Sequence, residues 1–183
     1  MRLLVIGDTH IPERAPEIPQ LMLNTIKQNN FDLVLSTGDL THERVFEYLK
    51  KLGKKVYAVR GNMDHLRFPE SEKLKVESIT IGLIHGDQVF PRGNIDQLTE
   101  TASEMDVDVL ISGHTHRLSI DEIKLGKTKI LLLNPGSATG VWGGGPASYV
   151  PSFMILEVEN ERKKVHAYEL INDKLEAHTY IFE

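Results

Sequence analysis

The sequence predicts an α/β fold, a four-layer αββα sandwich of two mixed β-sheets flanked by helices. Three observations carry this expectation. Apolar strand-like runs alternate with amphipathic ones in βαβαβ order up to Val59, a pattern that calls for a parallel sheet with right-handed crossovers. After Pro69 a strand pair, a helix and a further buried strand follow, and from Ser119 onward short strands succeed one another across polar turns. Two sheets packed face to face, with helices outside, bury all of these elements.

Arg2 to Gly7 reads as a short buried strand ending at Asp8. Pro12, Pro16 and Pro19 hold an irregular loop before the amphipathic run Ile18 to Gln28, whose Leu21 and Ile26 recur at helical spacing. Phe31 to Ser36 is a second apolar strand, and Thr41 is read as the N-cap of a helix reaching about Lys51. Val56 to Val59 gives a third strand. Lys73 to Glu77 and Ile79 to His85 form a strand pair, Asn94 to Met105 a helix, and Val107 to Ser112 another buried strand. Ile120 to Leu125 and Lys129 to Leu133 meet across Gly126-Lys127; Phe153 to Val158, Lys163 to Leu170 and Lys174 to Phe182 complete an antiparallel set. The glycines at 143–145, followed by Pro146, mark the one flexible insertion.

A chain of 183 residues suits one ordinary domain, read here as residues 1–183, and is short for two. With 40% hydrophobic and 26% charged residues the composition is globular. The net charge is −5 and the basic residues do not cluster, so no nucleic-acid footprint is present. Leu3 to Ile6 is interrupted at once by Asp8 and His10, so it makes neither a signal-peptide core nor a membrane span, and a cytoplasmic location is the expectation. Cysteine is absent, which removes disulfides and thiolate metal sites and leaves Asp, Asn and His as donors.

Those donors are not scattered. Asp8-Thr9-His10, Gly38-Asp39, Gly61-Asn62, His85-Gly86 and Gly113-His114-Thr115-His116 put seven potential metal ligands into five short clusters. Each follows an apolar strand, and loops after strands of an open α/β sheet converge on one crevice. Oxygen and imidazole donors meeting from several loops are what a divalent metal that activates water requires, so the layout is that of a two-metal hydrolase.

In order and spacing the clusters D-x-H, G-D, G-N, a lone His and G-H-x-H resemble the calcineurin-like metallophosphoesterase superfamily. The strings from Gly82 to Gly86, Asp108 to His116, Asn134 to Gly140 and Val150 to Phe153 look most like its single-domain prokaryotic phosphodiesterases. They are also closely similar to those of the metallophosphoesterase-like subunit of the retromer sorting complex. The resemblance implies that Asp8, His10, Asp39 and His116 hold one metal, and that Asn62, His85, His114 and a shared Asp39 hold the other. It assigns the catalytic role to Asp39, Asn62 and His114. The implied reaction is hydrolysis of a small phosphodiester by a hydroxide bridging two divalent ions, Mn²⁺ first among ions that include Ni²⁺, Co²⁺, Fe²⁺ and Zn²⁺. Partners are then a small phosphodiester and no membrane, with a homo-oligomer left open.

One departure bears on substrate. The superfamily's phosphoprotein phosphatases follow the Asn with a His that protonates the leaving group, whereas this chain reads Gly61-Asn62-Met63-Asp64, and a thioether transfers no proton. Phosphodiester cleavage is therefore preferred over phosphomonoester or phosphoprotein hydrolysis. A third reading, a non-catalytic scaffold like the retromer subunit, is disfavoured by the intact His10, Asp39 and Asn62.

Several residues stay open. Asp64 reads equally as a partner for a ligand imidazole or as a turn-stabilising side chain. His42 and His65 lie within three residues of ligands and are candidates for the missing acid or exposed helix-start residues. His166 and His178 are taken as structural. Arg60 and Arg117 stand beside ligands but are left outside the catalytic set, and the Asn134-Pro135-Gly136-Ser137 turn is placed at the site edge. Trp142 is a lid, a partner anchor or a packing cap.

Overall fold

A computed structural model describes residues 1–183. Strands β1 (Arg2–Ile6), β2 (Phe31–Ser36) and β3 (Gly53–Ala58) alternate with helices α1 (Gln20–Lys27) and α2 (Glu43–Leu49). They run parallel, as the alternation requires. The chain continues through β4 (Ser71–Val76), β5 (Ile79–Ile84), α3 (Ile95–Glu104), β6 (Val109–Ile111), β7 (Leu118–Leu125) and β8 (Thr128–Pro135), then β9 (Ser152–Glu159), β10 (Arg162–Ile171) and β11 (Lys174–Phe182). One sheet has six strands in the order β11-β10-β9-β1-β2-β3, and the other five in the order β4-β5-β6-β8-β7. Both are mixed, because β9 pairs antiparallel with β1 while β6 pairs parallel with β5 and β8.

The strand period of two explains the four layers. On β1, Leu3 and Val5 face inward and meet Ile81, Leu83, Val109 and Ile111 of the second sheet. Leu4 and Ile6 face outward and are covered by Met22 and Ile26 of α1 and by Val45 and Leu49 of α2. On the far side, Leu98 and Ala102 of α3 cover Ile84, Leu110 and Leu132. A strand buried on both faces reads as an unbroken apolar run, as Leu3–Ile6 of β1, Leu33–Leu35 of β2 and Ile81–Ile84 of β5 do. None of the three helices is long and apolar enough to cross a membrane.

Two expectations are corrected. The N-cap of α2 is His42, whose Nδ1 accepts the Arg44 N–H at 3.1 Å. Thr41 is unavailable for capping because it sits at φ +64°, its N–H goes to Asp64 and its hydroxyl donates to the Ile11 carbonyl. The third strand also begins earlier than expected, at Gly53, since backbone pairing with β2 carries the exposed Lys54 and Lys55 into the sheet.

Candidate metal centre

The loops after β1, β2, β3, β5 and β6 leave the strands' carboxyl ends together and deliver all seven predicted ligands to one place. Six of them are buried: Asp8, His10, Asp39, His85, His114 and His116. Asn62 is exposed and forms the rim. The chain reaches this arrangement through strained backbone. Asp8, His10, Asp39, His114 and His116 all take positive φ, between +46° and +66°, a region that costs a non-glycine residue roughly 1–3 kcal/mol. No sequence signal marks that strain, because it falls on the ligands rather than on glycines.

The donors form two sets joined by Asp39. In the first, His10 Nε2 lies 3.1 Å from His116 Nε2, and His116 Nε2 lies 3.5 Å from Asp8 Oδ1. In the second, His85 Nε2 lies 3.0 Å from Asn62 Oδ1 and 3.2 Å from His114 Nδ1. Asp39 Oδ2 stands between the sets, 3.4 Å from His10 Nε2 and 3.5 Å from His85 Nε2. Asp8 approaches both, since its carboxylate also lies within 4.8 Å of Asp39 and His85.

Hydrogen bonds at the outer ring nitrogens test whether these residues suit a cation. His85 Nδ1 faces the Thr37 carbonyl at 2.8 Å and His116 Nδ1 faces the Val141 carbonyl at 2.7 Å. A carbonyl only accepts, so each Nδ1 carries a proton and Nε2 is the atom turned inward, a bare lone pair whenever the ring is neutral. On His85 that lone pair points at the Asn62 carbonyl oxygen, acceptor against acceptor, whereas His116 Nε2 gives a hydrogen bond to the Asp8 carboxylate and frees its lone pair only when that proton leaves. Converging lone pairs of imidazole and oxygen are the donor set of a divalent metal, and the residues fit it.

The electrostatics agree. Burial drives His10 down to about 4 despite the charge of Asp8, and burial with the charges of His85 and Arg92 drives His114 to about 4. Both are neutral ligands at pH 7. Burial, assisted by the charge of Asp8 and opposed by that of His85, raises Asp39 to about 6. Burial would also raise Asp8, but the hydrogen bond from His116 and the charges of the surrounding histidines outweigh it and hold Asp8 below the usual carboxylate value. The same contact wins at His116: burial favours the neutral ring, and the hydrogen bond and charge of Asp8 raise it nonetheless.

A supporting shell surrounds the donors, and sequence reading found only part of it. Asp64 contacts no imidazole; its carboxylate accepts the backbone N–H groups of Asp39, Thr41 and Gly61 and so ties the second cluster to the third. A side chain at Gly61 would collide with Asp39 Oδ1. Asn134 does not simply line the edge: its amide donates to the Gly113 carbonyl and to Thr115 Oγ1, while Ser137 and Thr139 donate to the carbonyls of Asp8 and Thr9. One turn therefore braces the first and last ligand loops. The segment expected to be flexible is strapped down, with Arg92 donating to the Gly143 carbonyl and Arg14 to that of Trp142. Trp142 is 54% exposed, and its ring centroid lies 5.8 Å from the Arg14 guanidinium. His166 pairs with Thr179 and Glu157 away from the centre.

Comparison with known proteins places the arrangement. The model of the calcineurin-like phosphoesterase superfamily domain matches residues 1–161. A curated protein of Methanocaldococcus jannaschii, named a probable metallophosphoesterase, is 45% identical over 161 residues, covering 88% of this chain and 78% of the relative. Among solved structures, Entamoeba histolytica Vps29 complexed with Zn²⁺ superposes with a TM-score of 0.92 at 36% identity over 100% of both chains. Vacuolar protein sorting 29 of Cryptosporidium parvum gives 0.90 at 30% identity, over 99% of this chain and 97% of that one. With the match running from β1 through β9 and taking in every ligand loop, this chain belongs to the calcineurin-like phosphoesterase superfamily.

Proposed function

We propose that the protein is a dinuclear metal-dependent phosphodiesterase acting on a small phosphodiester, with Mn²⁺ as the first candidate for its metals. Asp8, His10, His116 and Asp39 would hold one ion, and Asn62, His85, His114 and the shared Asp39 the other. The observation that carries the reading is the position of Asp39 Oδ2 between His10 and His85, the place a bridging carboxylate occupies. When bound, two divalent ions act as Lewis acids on the phosphoryl oxygens and acidify water to near neutral pH.

The chain's own groups then set the rest. The neutral His10 and His114 bring lone pairs without protons to displace. The carbonyls of Thr37 and Val141 fix the tautomers of His85 and His116. The preference for diesters over monoesters rests on Met63, the residue after Asn62. Met63 has only its backbone committed to the site, donating its N–H to Asp39 Oδ1 at 2.8 Å. His42 commits its Nδ1 to the helix cap, and the thioether of Met63 brings no proton to the leaving group. A leaving group that needs no protonation suits such a site.

A second reading, a protein-interaction scaffold, is favoured by the close likeness to Vps29 structures. The complete set of donors in this chain supports catalysis over it. Purified protein assayed against mono- and diesters with Mn²⁺, Ni²⁺, Co²⁺ and Zn²⁺ tests the choice. Metal-dependent turnover selective for diesters is expected. Inactivity throughout, with a partner protein co-purifying, would replace the enzyme by the scaffold.

A further inference from the structure

Beside Asn62 lies a cavity of about 610 Å³ that the metal site does not fill. Its walls come from the β3 loop (Arg60, Asp64, Glu70) and from Asp87 and Gln88, directly after His85-Gly86, and no hydrophobic side chain lines it. Small-molecule sites are as a rule predominantly apolar with a few polar groups, so a wholly polar cavity opening on a metal ligand restricts what can enter.

The polar groups are not equally free. Glu70 is paired with Arg60 at 2.8 Å. The Asp64 carboxylate is taken by three backbone N–H groups. Asp87 and Gln88 are exposed, and neither side chain figures in any hydrogen bond or ion pair of the chain. Asp87 follows His85-Gly86 directly and lines the cavity together with Asn62. The lining side chains with no partner at all in the chain are therefore one carboxylate and one amide.

We propose that this cavity receives one alcohol arm of the substrate, with Asp87 and Gln88 as its specificity-determining residues, and that the arm is donor-rich and free of negative charge, a polyol or an amino-alcohol. The inference rests on the phosphodiesterase reading above and narrows its substrate. An anionic arm, as in a nucleotide or a nucleic-acid strand, meets Asp87 with the wrong sign. An aryl arm or a nucleobase finds no apolar wall and would strip water from an unpaired carboxylate without returning a hydrogen bond. Hydroxyl or ammonium donors give both side chains a partner, and a site built around such donors rejects analogues that lack them. Apolar linings lie elsewhere: one cavity holds Phe90, Ile95 and Leu118, and another Ile11, Ile18 and Leu23. Arg92, on the wall of the first of these, is bonded to the His114 and Gly143 carbonyls.

The test uses the Mn²⁺-loaded full chain and non-hydrolysable phosphonates in which carbon replaces the ester oxygen. Dihydroxybutylphosphonate stands for a polyol arm, aminopropylphosphonate for an amino-alcohol and benzylphosphonate for an aryl arm. Calorimetry should show one of the first two binding ~10-fold or more tighter than the third, in line with rejection of analogues lacking donors. Amide NMR of the chain loaded with diamagnetic Zn²⁺ should place the perturbation at Asp87 and Gln88. D87A or Q88A should reduce the preference to threefold or less, and which phosphonate suffers more tells polyol from amino-alcohol. Equal binding of benzylphosphonate, or perturbation confined to Thr115–Leu118, overturns the proposal. Diester turnover measured alongside separates the failures. Turnover without arm preference removes the subsite alone, whereas phosphonate preference without turnover on any diester removes the catalytic reading and leaves the subsite.

Discussion

Asp64 holds Asp39 by its backbone: Asp64 Oδ2 accepts the Asp39 N–H at 2.9 Å while the Asp39 side chain turns toward the ligand sets. The same carboxylate binds Thr41 and Gly61, so one residue fixes the positive-φ turn that presents the shared ligand. Asp64→Ala should lower metal affinity by ~10–100-fold, the usual cost of losing a group that orients a ligand. Asp64→Asn keeps one acceptor oxygen and should lose less. Metal titration followed by calorimetry gives both values, and equal affinities for all three proteins would show that Asp64 does not position Asp39.

Asp39 itself touches both donor sets, whereas His10 belongs to one. Asp39→Ala should bind fewer than two ions at saturation and lose roughly 10³-fold or more in turnover, as several kcal/mol of transition-state stabilisation disappears. His10→Ala should keep one tightly bound ion. Elemental analysis of both variants decides: two ions retained by a normally active Asp39→Ala would refute the bridging assignment.

The seven candidate ligands were readable because each of their clusters follows an apolar run, and a strand's carboxyl end is where an α/β sheet gathers its loops. The layers were readable from period two and from runs such as Leu3 to Ile6 that must be buried on both faces. What escaped was non-local. Nothing near Asn134 in sequence reveals that its amide reaches the Gly113 carbonyl 21 positions away. Nothing near Val141 shows that its carbonyl sets the His116 tautomer. The glycine run at 143–145 reads as slack, but the slack is taken up by Arg92 and Arg14, distant in sequence. Thr41 had the chemistry of a cap and lost the role to tertiary contacts.

Gly143 gives that loop a measurable duty. A methyl group there would sit 2.6 Å from His116 Cδ2, so Gly143→Ala must push the imidazole or lift Val141 off its Nδ1. Metal affinity should fall by ~10-fold or more, by the same loss of ligand orientation. Thermal unfolding of the metal-free protein should change little, since the loop lies outside the three apolar cores. Unaltered metal binding would mean the loop yields without moving His116.

Proton release should accompany metal binding in a defined window. A cation competes with protons on groups whose folded pKa is raised, here Asp39, raised to about 6, and His116, raised above 6.5. Both are largely deprotonated well above those values and bind metal without releasing protons. As pH falls through His116 and then Asp39, each bound proton must leave, and affinity drops about tenfold per pH unit for each. His10 and His114 sit at about 4 and add nothing until the pH approaches that value. Calorimetry in buffers of different ionisation enthalpy should show release rising from pH 8 to pH 5.5; a flat profile would contradict the assignment of these two groups.

Met63 bears on substrate choice most directly. Its N–H is held by Asp39 Oδ1, so the residue is fixed beside the second donor set while its side chain offers no proton. General-acid assistance is worth ~10²–10⁴ in rate and matters most for a poor leaving group such as an unactivated alkoxide. With the other arm held constant, the wild type should therefore cleave phosphodiesters with an aryl leaving group well and alkyl monoesters poorly. Met63→His places an imidazole on the same fixed backbone and should raise turnover selectively on substrates of high leaving-group pKa, flattening the plot of log rate against that pKa. The backbone bond to Asp39 does not depend on the side chain, so metal content should be unchanged and can be verified in the same samples. If the two slopes coincide at equal metal loading, the missing histidine does not set the preference, and selectivity must come from the groups that bind the substrate's arms.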